Sequence, residues 1–458
     1  MNLSRRELIA LAGGLTISGA AAAAVLNGRS PRRTTTAAGP ATSGAPATTS
    51  SSASSASTIA GAPTSSSSSS PAATSASAGH VLVVVQLGGG NDGLNTLVPL
   101  TGRYHDLRPT LGLNDADLLA FPGTTAYGLH PALKPLLPLL SADHVAAIEA
   151  IGYQHPNRSH FASLDDWWSG TPGQASATGW LGRWLDATVG DDDDPLRAVA
   201  LGAGVPALTG VSSRPTVVLS PQAFALRSPR RVDANALVTA WSGASSGASG
   251  GSSSAVDAYR SAVRSAAQAV EVFAKLESDQ KAAAAQAADA AAAGASDDPA
   301  GGEITSALGT AAQLVMKHQA TRVIHIAAGG FDTHANQAKA QETLLGDLAT
   351  GLAHFFGTLA KTGDDQRVLV MTVSEFGRRA AQNGSGGTDH GKANVQFLLG
   401  PSVKGGVVGD ADLARLDDGD LAPQIDVRSL YTSGLAWLGG PVDEVLGGHF
   451  DPLGVVTG

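Results

Sequence analysis

Cysteine is absent from all 458 residues. That excludes disulfides, thiol nucleophiles, iron–sulfur clusters and cysteine-based zinc sites, so any metal must be held by His, Asp, Glu or hydroxyl groups. Charge is sparse as well: Asp, Glu, Lys and Arg make up 15% of the chain, and the net charge is −9. Five arginines (Arg5, Arg6, Arg29, Arg32 and Arg33) precede His80 beside a single acid, Glu7, so the body after His80 is more acidic than the total suggests. Such a body does not suit a phosphate backbone, where counterion release needs clustered Lys and Arg, and no nucleic-acid partner is expected. Hydrophobic content of 43% is enough for a sizeable core.

The chain opens with Ser4-Arg5-Arg6-Glu7-Leu8, followed by an uncharged, Ala- and Gly-rich stretch to Asn27. Paired arginines before a mildly hydrophobic segment resemble a twin-arginine export signal, and small residues from Ala20 to Ala24 offer cleavage sites. A permanent membrane anchor is the alternative, but Gly13-Gly14 and the alanine runs make a weak one. The expectation is a signal over 1–27, the twin-arginine translocase as a transient partner, and an extracellular, periplasmic or envelope location. Residues 28–79 are almost entirely Ser, Thr, Ala, Pro and Gly. They cannot bury enough apolar surface to offset their conformational entropy, and read as a disordered tether.

From His80 onward the pattern is that of one α/β domain of about 380 residues. Val81 to Leu87 is a continuous β-branched run ending in three glycines, which suits a strand buried on both faces of a parallel sheet. Further strands are expected at Ala146–Ile151, Thr321–Ala327, Arg367–Val373 and Asn394–Leu399. Leu344, Leu345, Leu348, Leu352 and Phe355 fall near helical spacing between Asn336 and Lys361, so the third and fourth strands frame a βαβ unit. The Ala-rich stretch at about 252–300 reads as a protruding helical insertion.

Three of these strands run into acids. After Leu87 comes Gly88-Gly89-Gly90-Asn91-Asp92, after Ala327 comes Gly329-Gly330-Phe331-Asp332-Thr333-His334, and after Val373 comes Ser374-Glu375-Phe376-Gly377-Arg378. Ligand sites in open parallel sheets lie at the carboxyl ends of the strands, so Asp92, Asp332 and Glu375 should share one crevice. Carboxylates converging this way repel, and a divalent cation would relieve them. Asp389-His390 in a Gly-rich loop adds ligands, and Asn157-Arg158-Ser159-His160 leads into a helix. Ser159 would stand at that helix's N-terminus, where the dipole favours an alkoxide or oxyanion. Each signal has a plainer alternative: Asp92 as a turn residue, Ser159 as a helix cap, Asp332, His334, Asp389 and His390 as structural polar groups. His130, His144, His318, His354 and His449 read as ordinary surface or core histidines. The conjunction of strand-end acids with a His-bearing loop favours a metal site.

Together these segments resemble the exported family called domain of unknown function 1501. The matching pieces are Gln86 to Asn95, Asn157 to Phe161, Gly330 to His334, Ser374 to Arg378, Gly387 to Gly391, Asp426 to Tyr431 and Trp437 to Gly439. That family looks like a branch of the alkaline phosphatase and sulfatase superfamily. The resemblance implies an α/β/α sandwich with a mostly parallel central sheet, one or two divalent metals, zinc or manganese, and a serine nucleophile. It places Asp92 and Ser159 on one metal and Asp332, His334 and His390 on the other, with Glu375 and Asp389 as further ligands. One departure stands out: Phe376 occupies the position where a histidine ligand is expected.

The activity implied is hydrolysis of a phosphate or sulfate ester, small or glycan-linked, through a covalent ester of Ser159. A metal would lower the hydroxyl's pKa, and Arg158 and Asn157 would bind the ester oxygens. The alternatives are a non-catalytic envelope binding protein on the same fold, and a metal-free Ser-His-Asp hydrolase, for which Ser159 lacks a Gly-x-Ser-x-Gly elbow. The tether gives a first prediction. Limited proteolysis should strip residues up to about 79 and leave a folded body; protection of residues 40–75 equal to that of the body would refute the tether.

Overall fold

The computed structural model describes residues 79–188, 194–202, 206–219, 266–276, 278 and 302–457. The expected signal, nearly all of the tether and most of the 252–300 insertion lie outside the described residues. Within that insertion, 266–276 are helical, and Ala269, Phe273 and Leu276 are buried in the core, so this stretch packs against the body instead of protruding. No helix among the described residues is long and apolar enough to cross a membrane.

A nine-stranded sheet forms the middle layer. Its strands are β1 (Val81–Leu87), β2 (Val145–Gly152), β3 (Ala198–Leu201), β4 (Thr216–Val218), β5 (Val323–Ala328), β6 (Val368–Val373), β7 (Asn394–Leu399), β8 (Gly406–Val408) and β9 (Ile425–Asp426). The spatial order is β8-β2-β7-β6-β1-β5-β3-β4, with β9 also pairing β2. β1 lies between β5 and β6 and is parallel to both. Only β7 is reversed, antiparallel to β2 and β6. The five strands read from the sequence all form, within two residues of their expected ends. The short strands β3 and β4 carry too few residues to show a period.

β1 shows why both faces had to be apolar. Val81, Val83, Val85 and Leu87 pack into one core with Leu308, Leu345 and Phe355, from helices α3 (Glu303–Lys317) and α4 (Gln337–Leu359). Leu82 and Val84 face the other core, with Trp167 of α1 (His160–Ser169), Trp184 of α2 (Trp180–Ala187) and Leu430 of α5 (Val427–Leu438). Helices therefore cover both sides of the sheet, and each fully buried Val or Leu contributes about 1.5–3 kcal/mol. α4 connects β5 to β6 across β1, the expected βαβ unit with one strand inserted between its two.

One polar group sits badly in this core. Glu149 on β2 is fully buried; its Oε1 accepts from the Ala150 amide at 3.2 Å, while Oε2 has no partner. β2 carries one extra residue here, opposite the register slip between Asn394 and Gln396, and Ala150 adopts a φ of +51°. Burial pushes the Glu149 carboxyl up to about 8, with a smaller push from Asp410. The folded state thus holds a proton that the unfolded chain releases near 4.5, so this group's contribution to stability falls as pH rises from about 4.5 to about 8. Glu149→Gln should raise the melting temperature by several degrees at pH 8, with the gain shrinking toward pH 5. A gain independent of pH would show that the carboxyl ionises normally in the fold.

Candidate metal centre

Because β1, β5 and β6 are parallel, their loops emerge at one edge, as the sequence required. They are packed backbone to backbone. Gly89 has a φ of +118°, and a Cβ there would stand 2.3 Å from the Asp332 amide nitrogen. Its own amide donates to Glu375 Oε1 at 2.8 Å. Ser374 bridges the same loops, accepting from the Asn91 amide at 2.9 Å and donating to the Leu87 carbonyl at 2.7 Å. Arg378, with a fully buried side chain, binds them from within. It donates to the carbonyls of Gly90 (2.6 Å), Phe331 (2.8 Å), Thr388 (2.9 Å) and Gly89, and to Asp332 Oδ1 at 2.9 Å.

The three strand-end acids have three different partners, which corrects the expectation that one cation relieves them all. Asp92, expected on the metal, is instead held by Arg108, at 2.5 Å from Nη1 to Oδ2 and 2.9 Å from Nη2 to Oδ1, and by the Gln337 amide. Both its oxygens are occupied and its side chain is buried, which leaves no ligand position. Glu375, also expected as a ligand, uses Oε1 for the Gly89 amide and for His160 Nδ1, at 2.8 Å each. Asp332 alone presents its carboxylate to a group of imidazoles. Burial raises its pKa, but the buried Arg378 guanidinium, through its hydrogen bond and its charge, holds the carboxyl well below the usual carboxylate range.

Three histidines converge on Asp332. Nε2 of His334 lies 3.0 Å from Oδ1, Nε2 of His390 3.1 Å from Oδ1, and Nε2 of His160 3.4 Å from Oδ2. His334 Nε2 and His390 Nε2 are 2.9 Å apart. The opposite nitrogen of each ring faces an acceptor: His160 Nδ1 the Glu375 carboxylate, His334 Nδ1 Asp389 at 3.2 Å, and His390 Nδ1 the Arg158 carbonyl at 2.8 Å. A carbonyl or carboxylate can only accept, so each neutral ring carries its proton on Nδ1 and turns a bare Nε2 lone pair toward Asp332. Lone pairs so close to one another and to a carboxylate repel unless a proton or a cation lies among them. The buried His160 Nε2 makes no hydrogen bond at all. Four-coordinate zinc with bonds of 2.0–2.1 Å spaces its ligand atoms about 3.3 Å apart, close to the separations found here. The residues therefore fit a divalent cation held by Asp332, His160 and His390, whose ligand atoms all lie within 4.8 Å of one another, with His334 beside them. Glu375 and Asp389 stand one step back and orient imidazoles, as such carboxylates do in metal sites.

His160 is the residue that sequence reasoning missed. It is the first residue of α1 and lies beside Phe376, with ring centroids 4.9 Å apart. Its signal in the sequence was its place next to Ser159 in the Asn157–His160 segment. Ser159 is exposed, immediately before His160, and its side chain makes no capping hydrogen bond, so the plain helix-cap alternative fails. Arg158 is engaged by Asp420 at 3.1 Å and Asp418 at 3.7 Å. Asn157 Oδ1 accepts from the Ser159 amide at 2.9 Å and shapes the turn into α1.

A family model described as "Protein of unknown function (DUF1501)" matches residues 147–452. No curated protein sequence matches the chain. Among solved structures, the PsFucS1 sulfatase from Pseudoalteromonas sp. is 13% identical with a TM-score of 0.33, over 82% of this chain and 70% of its own. The phosphonate monoester hydrolase SpPMH from Silicibacter pomeroyi is 12% identical with a TM-score of 0.31, over 81% and 77%. Alkaline phosphatase from the Antarctic bacterium TAB5 is 10% identical with a TM-score of 0.24, over 72% and 95%. Likenesses this loose carry no weight for the site, which stands on its own residues.

If Arg378 holds the strand-end loops together, Arg378→Met should cost about 3–5 kcal/mol, because Asp332 and four carbonyls lose their buried donor. Urea unfolding measures it; a loss below 1 kcal/mol would show that the loops hold without the guanidinium.

Proposed function

The chain belongs to the DUF1501 family, and we propose that it is an exported metal-dependent hydrolase of phosphate or sulfate esters, with Ser159 as nucleophile. The observation that carries this reading is the group of His160, Asp332 and His390, whose ligand atoms lie within 4.8 Å of one another, each ring held by an acceptor behind it. A zinc or manganese ion bound there supplies Lewis acidity to the ester and to a nearby hydroxyl.

The remaining work falls to the chain's own residues. The Ser159 hydroxyl, exposed and free of capping duty, gives up its proton and attacks phosphorus or sulfur, breaking the bond to the ester's alcohol, which leaves with a proton; water then opens the serine ester, releasing phosphate or sulfate and restoring the hydroxyl. Arg158 is only partly covered, so its guanidinium can contact an ester oxygen while Asp420 holds it in place. Glu375 and Asp389 keep His160 and His334 in the tautomer that leaves Nε2 bare. The twin-arginine-like opening and the Ser/Thr tether support an exported protein whose substrate lies outside the cytoplasm.

Metal analysis of the purified protein, followed by turnover of aryl phosphate and aryl sulfate, tests the reading. Asp332→Ala should lower bound metal at least tenfold, as should His160→Ala. Ser159→Ala should keep the metal and lose turnover by a factor of 10² or more. A wild-type protein that binds metal but hydrolyses neither ester would favour the non-catalytic binding protein. Full turnover by Ser159→Ala would remove the serine from the mechanism.

A further inference from the structure

Behind Glu375, on the side of the sheet covered by α1 and α5, lies a narrow, partly open cavity with room for about one water molecule. Its walls include Trp167, Trp168, Trp180 and Tyr431, and among the described residues no Lys or Arg lines it. Three lining residues nevertheless carry buried polar atoms without a hydrogen-bond partner: Glu375 Oε2, Trp167 Nε1 and His325 Nδ1. Their residues are 2%, 4% and 1% exposed, so bulk solvent does not satisfy them. Leaving such groups unmet costs about 1–3 kcal/mol each.

The chemistry of the three atoms selects the occupant. The indole N–H needs an acceptor, which a metal ion or an ammonium cannot provide. The Glu375 oxygen needs a donor, which an apolar molecule cannot provide. Water does both, and buried waters make about three hydrogen bonds. His325 fits the same scheme: burial holds its pKa down at about 3, so the ring is neutral and offers one donor and one acceptor nitrogen. Of the other polar lining groups, Trp168 Nε1 donates to Gln86 Oε1 at 2.8 Å, the Tyr431 hydroxyl donates to the Trp167 carbonyl at 2.8 Å, and Ser374 bridges the strand-end loops.

We propose that this cavity holds ordered water linking Glu375 Oε2 to Trp167 Nε1 and His325 Nδ1, and that Trp167 and His325 are thereby positioning residues for the metal centre. The chain of action is short. Water fixes one oxygen of Glu375, the other oxygen holds His160 Nδ1 at 2.8 Å, and His160 presents Nε2 to Asp332. The water-filled cavity stands on the orphaned atoms alone; its effect on His160 rests on the metal-dependent reading above.

Two measurements test the two parts separately. A high-resolution crystal structure of the wild-type protein should show water within hydrogen-bond distance of Glu375 Oε2 and of Trp167 Nε1. A dry cavity, or one filled by a side chain, overturns the proposal. Cobalt(II) affinity, followed by its visible absorption, reads the positioning. His325→Leu should weaken cobalt binding about tenfold, and His325→Gln, which restores a polar atom, should recover most of that loss. Trp167→Phe, which keeps the ring and removes only the N–H donor, should weaken it several-fold, and serves if His325→Leu does not fold. Leu181→Ala, an apolar change in the same lining, should lower the melting temperature and leave cobalt affinity unchanged. Equal losses in His325→Leu and His325→Gln, or a loss in Leu181→Ala as large as either, would reduce the role to packing and overturn it. A wild-type protein that binds no cobalt sinks the metal-dependent reading and the positioning role with it, while the water stands or falls on the crystal structure.

Discussion

The guanidinium of Arg378 joins what the sheet alone would leave separate. Strands β1, β5 and β6 bring three loops to one edge, but backbone loops at a strand end have carbonyls with no ladder partner. Arg378 donates to four of those carbonyls from three segments, and its Nη2, which serves Gly89 and Phe331, also reaches Asp332. A guanidinium suits this position because its five N–H groups lie in one rigid plane; a lysine offers three donors on a flexible stem. Its charge then acts on the site itself. Arg378 donates to Asp332 and lowers its pKa, and an ionised Asp332 is what the imidazoles face.

Much of this was legible from the residues, and the limits have physical causes. A strand buried on both faces announces itself as a continuous β-branched run, so β1, β5 and β6 and the edge they share could be read. The acids at their ends could be read too, because a carboxylate beside glycines is a local signal. What each acid pairs with is not local. Arg108 reaches Asp92 from 16 residues away, while His160 reaches Glu375 from 215 residues away. Nothing in the periodicity of a strand or helix announces either meeting. Local signals alone thus imply three like charges in one crevice with a common cation, whereas the fold gives each its own partner. His334 and His390 are legible because they stand close to acids in sequence; His160 has only Ser159 beside it, and its acid, Glu375, is far along the chain.

The division of labour among the carboxylates follows from burial and from what lies within reach. Asp92 and Glu375 are both almost fully buried, and a buried carboxylate must be paired or protonated. Asp92 takes a permanent cation and becomes a structural ion pair. Glu375 takes an amide and an imidazole, which satisfy one oxygen without neutralising it outright, so it can steer the imidazole. Asp332 is about half exposed, at 47% for its side chain, and keeps an oxygen open toward solvent as well as toward the histidines. Only an acid in that intermediate position can serve a ligand that arrives from outside.

The buried Asp92 pair, lost as a ligand, still governs the centre through α4. Gln337, the first residue of that helix, donates to Asp92 with its amide nitrogen and accepts from the Thr388 hydroxyl at 2.6 Å with its amide oxygen. Thr388 sits two residues before His390, and its carbonyl is one of those held by Arg378. The loop carrying Asp389 and His390 is thereby tied to the end of β1 by one side chain and to Arg378 by its backbone. α4 in turn is anchored in the core by Leu345, Leu352 and Phe355, which pack beneath the sheet. The imidazole of His390 is thus positioned by the same apolar burial that holds the sheet together, although it is borne on a Gly-rich loop. A loop fastened in this way loses little further freedom when a ligand binds, and that is the condition under which a histidine cluster at a strand edge binds a cation tightly.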